Sequence, residues 1–552
     1  MSRPRRVPGS SRDTRVSATV VVAGGGDLGY ISGVRTLLAF VVVVSSLLSS
    51  TSWGRTCATT ALRALPDNAA FGVGLRERPV AVDVTASTTL PLRVHRTAAA
   101  STAQAALVLA ELERAWALQV DGAGYAPPLT DDGEGGDDSL DVYVAALPAG
   151  VSAVTIASDD VDDSAGLDVR HAFMVIAADQ PDELLAVAAH HEFQHVLQFA
   201  IDADESVMWF EATAVAFEVR GRPDVTSWQE PLSAFQTQPQ APLGADGIGF
   251  APYATSADVR LEYGAALFAL YLDDRYGDGD GSVLRRLWHG AAGSRLDGDD
   301  VVNEPDWQDA LEAFDDAATI QRDFFAWRAL APPLGVGDEG PAAYDLGGGA
   351  GLRGTRIVLE NLRGTARVTG KNEGPFVGGC LVLGGTAGNS AAPVFLHVES
   401  VDGHDLGVTT LIIGNGRVER DDADVGSVVD HDVVVPAGRE IVIGICDLAD
   451  RDVDDAPLFA AVRLSLGREE IVGEGEGEGE PVGEGEGEGE DVIDPGCGCD
   501  STSSGPASGD PRVMRKSLYT VGFFIGIFGF VVKAWRHRRR QRLYKQSRAR
   551  KP

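Results

Sequence analysis

Cysteine is scarce in this chain: five residues in 552, at Cys57, Cys380, Cys446, Cys497 and Cys499. So few exclude a disulfide-dense small scaffold. Cys497 and Cys499 are too close in sequence for an easy mutual bridge, and two sulfurs alone do not make a zinc site. Cys380 and Cys446 are the pair free to join. Basic residues are short as well, 47 Lys and Arg against 81 Asp and Glu, for a net charge of −34. The ends hide a deeper deficit. Residues 1–35 hold six Arg and two Asp, and 512–552 hold thirteen Lys or Arg and no acid. What remains over 36–511 is 28 basic against 79 acidic residues, about −51. A body that acidic excludes nucleic-acid binding through phosphate neutralisation. Also missing is any EF-hand: Asp131 to Asp138 and Asp278 to Ser282 are acidic and Gly-rich but lack the twelve-residue ligand spacing. Solvated turns explain them, with structural Ca2+ as the alternative.

The ends are apolar where the body is not. After Arg35 comes the run Leu37 to Leu48 and then Ser49-Ser50-Thr51-Ser52, the order of a secretory signal. Cys57 lacks the small preceding residue of a lipoprotein signal. At the other end Leu518 to Val532 is apolar and is followed by Lys533, Arg536, Arg538, Arg539 and Arg540. It is short for a membrane span but near the lower limit, and the basic cluster predicts a cytoplasmic C-terminus. Upstream, Ile471 to Glu480 is repeated as Pro481 to Glu490. Alternating Gly and Glu buries nothing and repels itself, so this segment reads as an extended tether.

Between the ends the texture changes once. Strands are expected at 91–95, 140–144 and 172–176, and helices at 102–120, 182–200, 207–219, about 259–275, 282–291 and 306–328. From about 350 to 466, short Val/Ile/Leu runs such as 356–359, 394–398 and 440–443, separated by Gly, Asn and Asp, predict a β-sandwich. The expected organisation is a signal region (1–54), a linker or short propeptide (55–78), a catalytic domain (79–335), a β-sandwich (350–467), a linker with the Cys motif (468–517), a transmembrane segment (518–535) and a basic tail (536–552).

The chemistry lies in His191-Glu192-Phe193-Gln194-His195. On a helix, His191 and His195 stand one turn apart on one face and can reach one metal ion, for which neutral imidazole suits zinc. Glu192, rotated about 100° from His191, cannot join them, but it can border a metal-activated water and take its proton. The extension with Gly three and His six residues beyond the second His is missing, since Gln198 and Ile201 hold those positions, so the third ligand is not that histidine. Sixteen residues after His195 comes Glu211, in Met208-Trp209-Phe210-Glu211-Ala212-Thr213-Ala214, at the start of a second helix beyond an acidic loop. Glu218 lies two turns on, on nearly the same face. By spacing either Glu can be the third ligand. Glu211 is preferred, with Glu218 hydrogen-bonded to a ligand imidazole. Tyr263 is a candidate donor to an oxyanion and His289 a weaker one. Tyr263 reads equally well as a packed aromatic, and His190 as a residue pointing away from the metal.

His191-Glu192-Phe193-x-His195-x-x-Gln198, followed by Trp209-Phe210-Glu211-Ala212-Thr213-Ala214 and Glu218, resembles the gluzincin clan of metallopeptidases, in particular secreted bacterial zinc proteases of the myxobacterial type. Clostridial-type collagenases and the large aminopeptidases share the arrangement more distantly. The resemblance spans about 80–330. It implies an α+β zincin-like catalytic domain, with a small sheet, the HExxH helix and a helical C-terminal subdomain, ahead of the all-β sandwich. It also implies His191, His195 and Glu211 as ligands of Zn2+, Glu192 as the base, Glu218 as an acidic residue near the metal, and a protein or peptide substrate, while Tyr263 stays the candidate catalytic donor on a helix that resembles one following the active-site helix in this clan. The shorter interval from His195 to Glu211 sets the chain apart from the aminopeptidases. The end of the chain, Gly496-Cys497-Gly498-Cys499 with an apolar segment and an Arg-rich tail, resembles myxobacterial surface-protein sorting signals, which implies membrane attachment and processing at the Cys motif.

Three functions therefore compete: an exported, surface-anchored zinc peptidase; an adhesion or binding protein with a non-catalytic zincin domain; and a zinc hydrolase of a non-peptide substrate. The intact Glu192 favours the first. No sequence feature speaks to oligomeric state.

Overall fold

The computed structural model describes residues 56–59, 77–131, 133–158, 169–241, 243, 261–293, 295–297, 300–302, 305–330, 352, 355–356, 378–401, 403–448 and 462–466. The expected signal region, tether, Cys motif, transmembrane segment and basic tail lie outside the described residues. Among the described residues no helix is long and apolar enough to cross a membrane. The fold is mixed α and β, with several sheets.

Strands β1 (Thr56–Cys57), β2 (Asp83–Ala86), β3 (Leu92–Arg96), β4 (Leu140–Ala145), β5 (Val151–Ala157) and β6 (Ala172–Ala177) make one six-stranded sheet in the order β1-β5-β6-β4-β3-β2. β3, β4 and β6 run parallel, while β2 lies antiparallel to β3 and β5 antiparallel to β6. β1 pairs in parallel with β5, Cys57 opposite Ala153. β4 and β6 are buried at every residue, which is why β6 reads in the sequence as a continuous apolar run and β4 as one broken only by the buried Asp141.

Helix α1 (Thr102–Trp116) starts on a capping box: the Ser101 hydroxyl accepts from Gln104 N at 3.2 Å and Gln104 Oε1 accepts from Ser101 N at 2.9 Å. A π-helical turn, Ala117–Gly122, continues it. Helix α2 (Asp182–Phe199) places Asp182 and Glu183 in its first turn, where the helix dipole favours carboxylates. From Leu185 to Phe199 every side chain of α2 is buried, so the helix is enclosed rather than amphipathic. After a turn, Ser206 caps α3 (Val207–Gly221) by accepting from Trp209 N at 3.2 Å, and α3 packs back against α2. There follow α4 (Gln229–Gln236), α5 (Leu261–Gly264), α6 (Ala266–Tyr276), α7 (Ser282–Ala291), the hairpin of β7 (Arg295–Asp297) and β8 (Asp300–Val302), α8 (Trp307–Leu311) and α9 (Ala317–Ala329).

Two expected helices are divided. The one at 259–275 breaks at Ala265, and the one at 306–328 becomes α8 and α9. Asp316 accepts from Thr319 N at 2.8 Å and so opens a new helix where a continuous one was expected. One apolar core joins the sheet to α1, α2, α3, α6 and α7, with Trp209, Trp288, Trp307 and Phe268 among its fully buried side chains.

The C-terminal part is a β-sandwich. β9 (Thr355–Arg356), β10 (Cys380–Thr386), β12 (Leu406–Gly414), β13 (Arg417–Asp422) and β15 (Glu440–Asp447) form a five-stranded sheet. It faces a three-stranded sheet of β11 (Ala392–Ser400), β14 (Val428–Val435) and β16 (Val462–Leu466). β14 alternates between exposed and buried residues throughout, as a strand wet on one face must. Its Val429, Val433 and Val435 meet Val408, Ile412, Ile443 and Ile445 in the core between the sheets. The outer face of the larger sheet is dry too, because Phe325, Ala326 and Ala329 of α9 cover Val382, Leu411, Val442 and Cys446. Gly444 is required there: a Cβ would stand 2.4 Å from the Phe325 ring.

Cys380 and Cys446, directly opposed on β10 and β15, form a disulfide under α9 that closes 66 residues of sequence. A loop of that size implies about 4 kcal/mol by chain entropy, as an upper figure. Replacing both cysteines with Ala should therefore lower the unfolding free energy by about 2–4 kcal/mol in thermal or denaturant melts. An unchanged midpoint would mean that α9 and the strand pairing hold this region without the bridge.

Candidate metal centre

The enclosed helix α2 brings His191 and His195 to one buried point, with their Nε2 atoms 3.0 Å apart. From α3, Glu211 Oε2 stands 3.2 Å from His191 Nε2 and 3.7 Å from His195 Nε2. A fourth donor arrives from β1: the sulfur of Cys57 and ligand atoms of the other three all lie within 4.8 Å of one another.

The far side of each ring fixes which nitrogen faces this point. His195 Nδ1 lies 2.6 Å from Gln198 Oε1. Gln198 can offer only that oxygen, because its amide nitrogen donates to Phe210 O at 3.0 Å and to Thr213 Oγ1 at 2.7 Å. His195 Nδ1 therefore carries the proton, and Nε2 presents a lone pair. His191 Nδ1 meets the Glu218 carboxylate at 2.5 Å and, in the neutral ring, is likewise the protonated nitrogen. Two imidazole lone pairs and a carboxylate aimed at one dry site repel one another, and a cation satisfies all three. The cluster can hold a metal ion, and Glu218 sits where a partner that orients a ligand imidazole belongs.

Glu192, on the adjoining face of α2, is buried. Its Oε2 accepts from the hydroxyls of Thr155 at 2.7 Å and Thr59 at 3.0 Å, while Oε1 has no hydrogen-bond partner among the described residues. Thr155, on β5, also donates to the Glu192 carbonyl at 3.1 Å. Tyr263, on α5, stacks its ring on His191, with centroids 6.0 Å apart, and donates its hydroxyl to Cys57 O at 3.3 Å.

Electrostatics follow from burial and this crowding. Burial opposes ionisation of Glu211, yet the His191 and His195 imidazoles outweigh it and hold the carboxyl far below the usual range. Burial likewise opposes protonation of His191 and is outweighed by hydrogen bonds to Cys57, Glu211 and Glu218, so its pKa rises well above the ordinary value. Burial and then the Glu192 and Glu211 charges push the Cys57 thiol up. Burial, with Glu211 next, does the same to the Tyr263 phenol, so Tyr263 stays a donor across the neutral range.

The structure thus gathers Glu192, Tyr263, His191, His195, Glu211 and Glu218 within one neighbourhood. His289 is exposed on α7 and touches none of them. His190 points away from the cluster and is fully buried, 3.5 Å from Glu111 of α1. A Cβ on Gly221 would stand 2.3 Å from its ring, so only glycine fits there. The Asp131 stretch that suggested calcium surrounds a cation of the chain's own: Arg78 pairs with Asp131 at 2.7 Å, with Glu134 at 3.2 Å and with Asp141. Sequence reading passed over β5 and its Thr155, and over Cys57 and Thr59, whose only signal was an isolated cysteine ahead of the first expected strand.

No protein-family model matches the chain, and no curated protein matches it. Among solved structures it is similar to the pre-peptidase C-terminal domain of a collagenase from Bacillus anthracis, at 15% identity, over 21% of this chain and 94% of that one, with a TM-score of 0.13. An overlap that slight says nothing about the metal cluster.

Metal content tests the cluster. His195→Ala and Glu211→Ala should each abolish stoichiometric binding of a transition metal, and Glu218→Gln should weaken it by about 10–100-fold in chelator competition. Hydrogen bonds to Cys57, Glu211 and Glu218 favour the protonated form of His191 in the metal-free site. Metal entry must expel that proton, so affinity should climb as pH rises, with proton release visible in calorimetry across buffers of different ionisation enthalpy.

Proposed function

We propose that the chain is a zinc-dependent endopeptidase of the gluzincin type, exported and held at the cell surface by its C-terminal segment. The observation that carries this reading is the convergence of two oriented imidazoles and the Glu211 carboxylate beside a separate buried carboxylate, Glu192. Two His and one Glu are a donor set that zinc favours when a fourth position is left for chemistry. The sheet with its antiparallel edge strand, the enclosed α2 and the returning α3 support a zincin-like domain. The signal-like start and the basic-flanked apolar end support export and attachment, with a cytoplasmic tail unless the Cys motif is processed.

Zinc in this cluster supplies Lewis acidity, which acidifies water and polarises a carbonyl. The rest is the work of the chain. Glu192 takes the proton of the attacking water on its unpartnered Oε1 and returns it to the departing amide nitrogen. The Thr155 hydroxyl holds the other carboxylate oxygen in place. Tyr263 keeps its phenolic proton and donates it as a hydrogen bond to the carbonyl oxygen as negative charge develops there. Glu218 and Gln198 fix both imidazoles while this happens.

Cleavage of a denatured protein substrate, with zinc measured on the same samples, tests the reading. Glu192→Gln should keep its zinc and lose about 10²–10⁴-fold in rate, and Tyr263→Phe should lose about 10–10³-fold, mainly in kcat. Zinc-free protein, or cleavage indifferent to Glu192→Gln, sinks it.

A further inference from the structure

The segment Thr56–Thr59 touches each working part of the site. Cys57 places its sulfur among the donor atoms of His191, His195 and Glu211. The carbonyl of the same residue takes the Tyr263 hydroxyl at 3.3 Å. Thr59 donates its hydroxyl to Glu192 Oε2 at 3.0 Å and accepts from Thr155 N at 2.7 Å. The backbone holds the segment against the sheet edge: Thr56 and Cys57 pair in parallel with β5, and Ala58 N donates to Ala153 O at 2.9 Å. Cys57, Ala58 and Thr59 are all buried. A chain extended at Thr56 and Cys57 on β5, with one carbonyl on the oxyanion donor and the side chain of Thr59 at the base, occupies the site as a polypeptide substrate would.

We infer that Cys57 is the fourth protein ligand of the zinc ion in the resting chain, and that Thr56–Thr59 is a built-in inhibitor lying in the substrate groove along β5. The inference rests on the zinc-peptidase reading. A structural zinc site has four protein ligands, whereas a catalytic one has three and an open position. Cys57, giving up its thiol proton as zinc binds, would convert the second arrangement into the first, because water could no longer take the place from which it attacks. This also explains how the segment lies across the site uncut: its sulfur removes the nucleophile and its Thr59 hydroxyl engages the base. No covalent step is needed. Displacement of the thiolate by water restores the three-ligand site and frees Tyr263 and Glu192 together. The same contacts define the groove, which takes an extended peptide by backbone pairing to Val151–Ala157.

X-ray absorption at the zinc edge, on the full chain as isolated, tests the ligand directly. One sulfur at about 2.3 Å with nitrogen and oxygen neighbours is expected. In Cys57→Ser the sulfur should vanish with zinc stoichiometry retained, and cleavage of a denatured protein should rise at least tenfold. Adding Glu192→Gln to that variant should remove the gain. Thr59→Ala, which leaves the ligands untouched, should give a smaller rise. Zinc with only nitrogen and oxygen neighbours in the unaltered chain, sulfur that persists in Cys57→Ser, or a Cys57→Ser rate no higher than that of the unaltered chain overturns the inference and leaves the peptidase reading standing. A chain that binds no zinc overturns both.

Discussion

Two imidazoles that face each other across 3.0 Å in a dry interior keep that pose only because something grips them from behind. Here the grip is a chain of hydrogen bonds that leaves α2 and ends elsewhere in the fold. Trp288 of α7 donates to Thr213 of α3 at 3.1 Å, Thr213 donates to Trp209 O at 2.8 Å, and Thr213 accepts from Gln198, which turns its oxygen toward His195. Thr213 spends its proton on Trp209 O and the Phe210 carbonyl takes the other amide hydrogen of Gln198, so the amide can turn only its oxygen to His195. A tautomer at the cluster is thus decided by backbone carbonyls of α3.

Helix α2 buries six polar residues within nine positions: His190, His191, Glu192, Gln194, His195 and Gln198. Each would cost several kcal/mol if left without a partner. Their partners come from different places: Glu111 on α1, Glu218 on α3, Thr155 on β5, and Tyr125 in the loop after the π turn, which accepts from Gln194 at 3.1 Å. The surrounding elements are therefore tied to one helix by polar contacts as well as by apolar packing. Such an interior tolerates little rearrangement, as a site that must hold groups within fractions of an ångström requires.

What the sequence made legible follows from range. α2 and α3 carry their own signals: apolar composition, with an acidic first turn in α2 and the Ser206 cap in α3, lies within a few residues. The pair His191 and His195, and Glu211 returning on the next helix, are also local, because a short turn leaves few ways for α3 to pack. Cys57 and Thr59 reach the same site from more than 130 positions away. Nothing in Thr56-Cys57-Ala58-Thr59 announces the strand β5 that receives it, so the cysteine read only as a failed lipid signal. The ion pairing of the Asp131 stretch was hidden for the same reason, since Arg78, its counter-ion, sits far upstream. The division of α8 from α9 was readable in principle, as Asp316 is an ordinary helix cap. Its neighbours Asp315 and Ala317 blend into a helical composition that hid it.

Helix α9 gives the chain a seam where the sequence suggested a gap. Ile320 and Phe324 belong to the core of the α/β part, while Phe325, Ala326 and Ala329, a few atoms away on the same helix, roof the five-stranded sheet of the sandwich. Arg322 adds a polar stitch, donating to Ala423 O at 3.1 Å. One helix thus owes its two faces to two different hydrophobic interiors. The outer face of the five-stranded sheet is dry because of it, so the composition boundary near residue 350 is a boundary of texture and not of cohesion. An evolutionary shuffling event that moved the sandwich without this helix would carry a bare apolar sheet face with it.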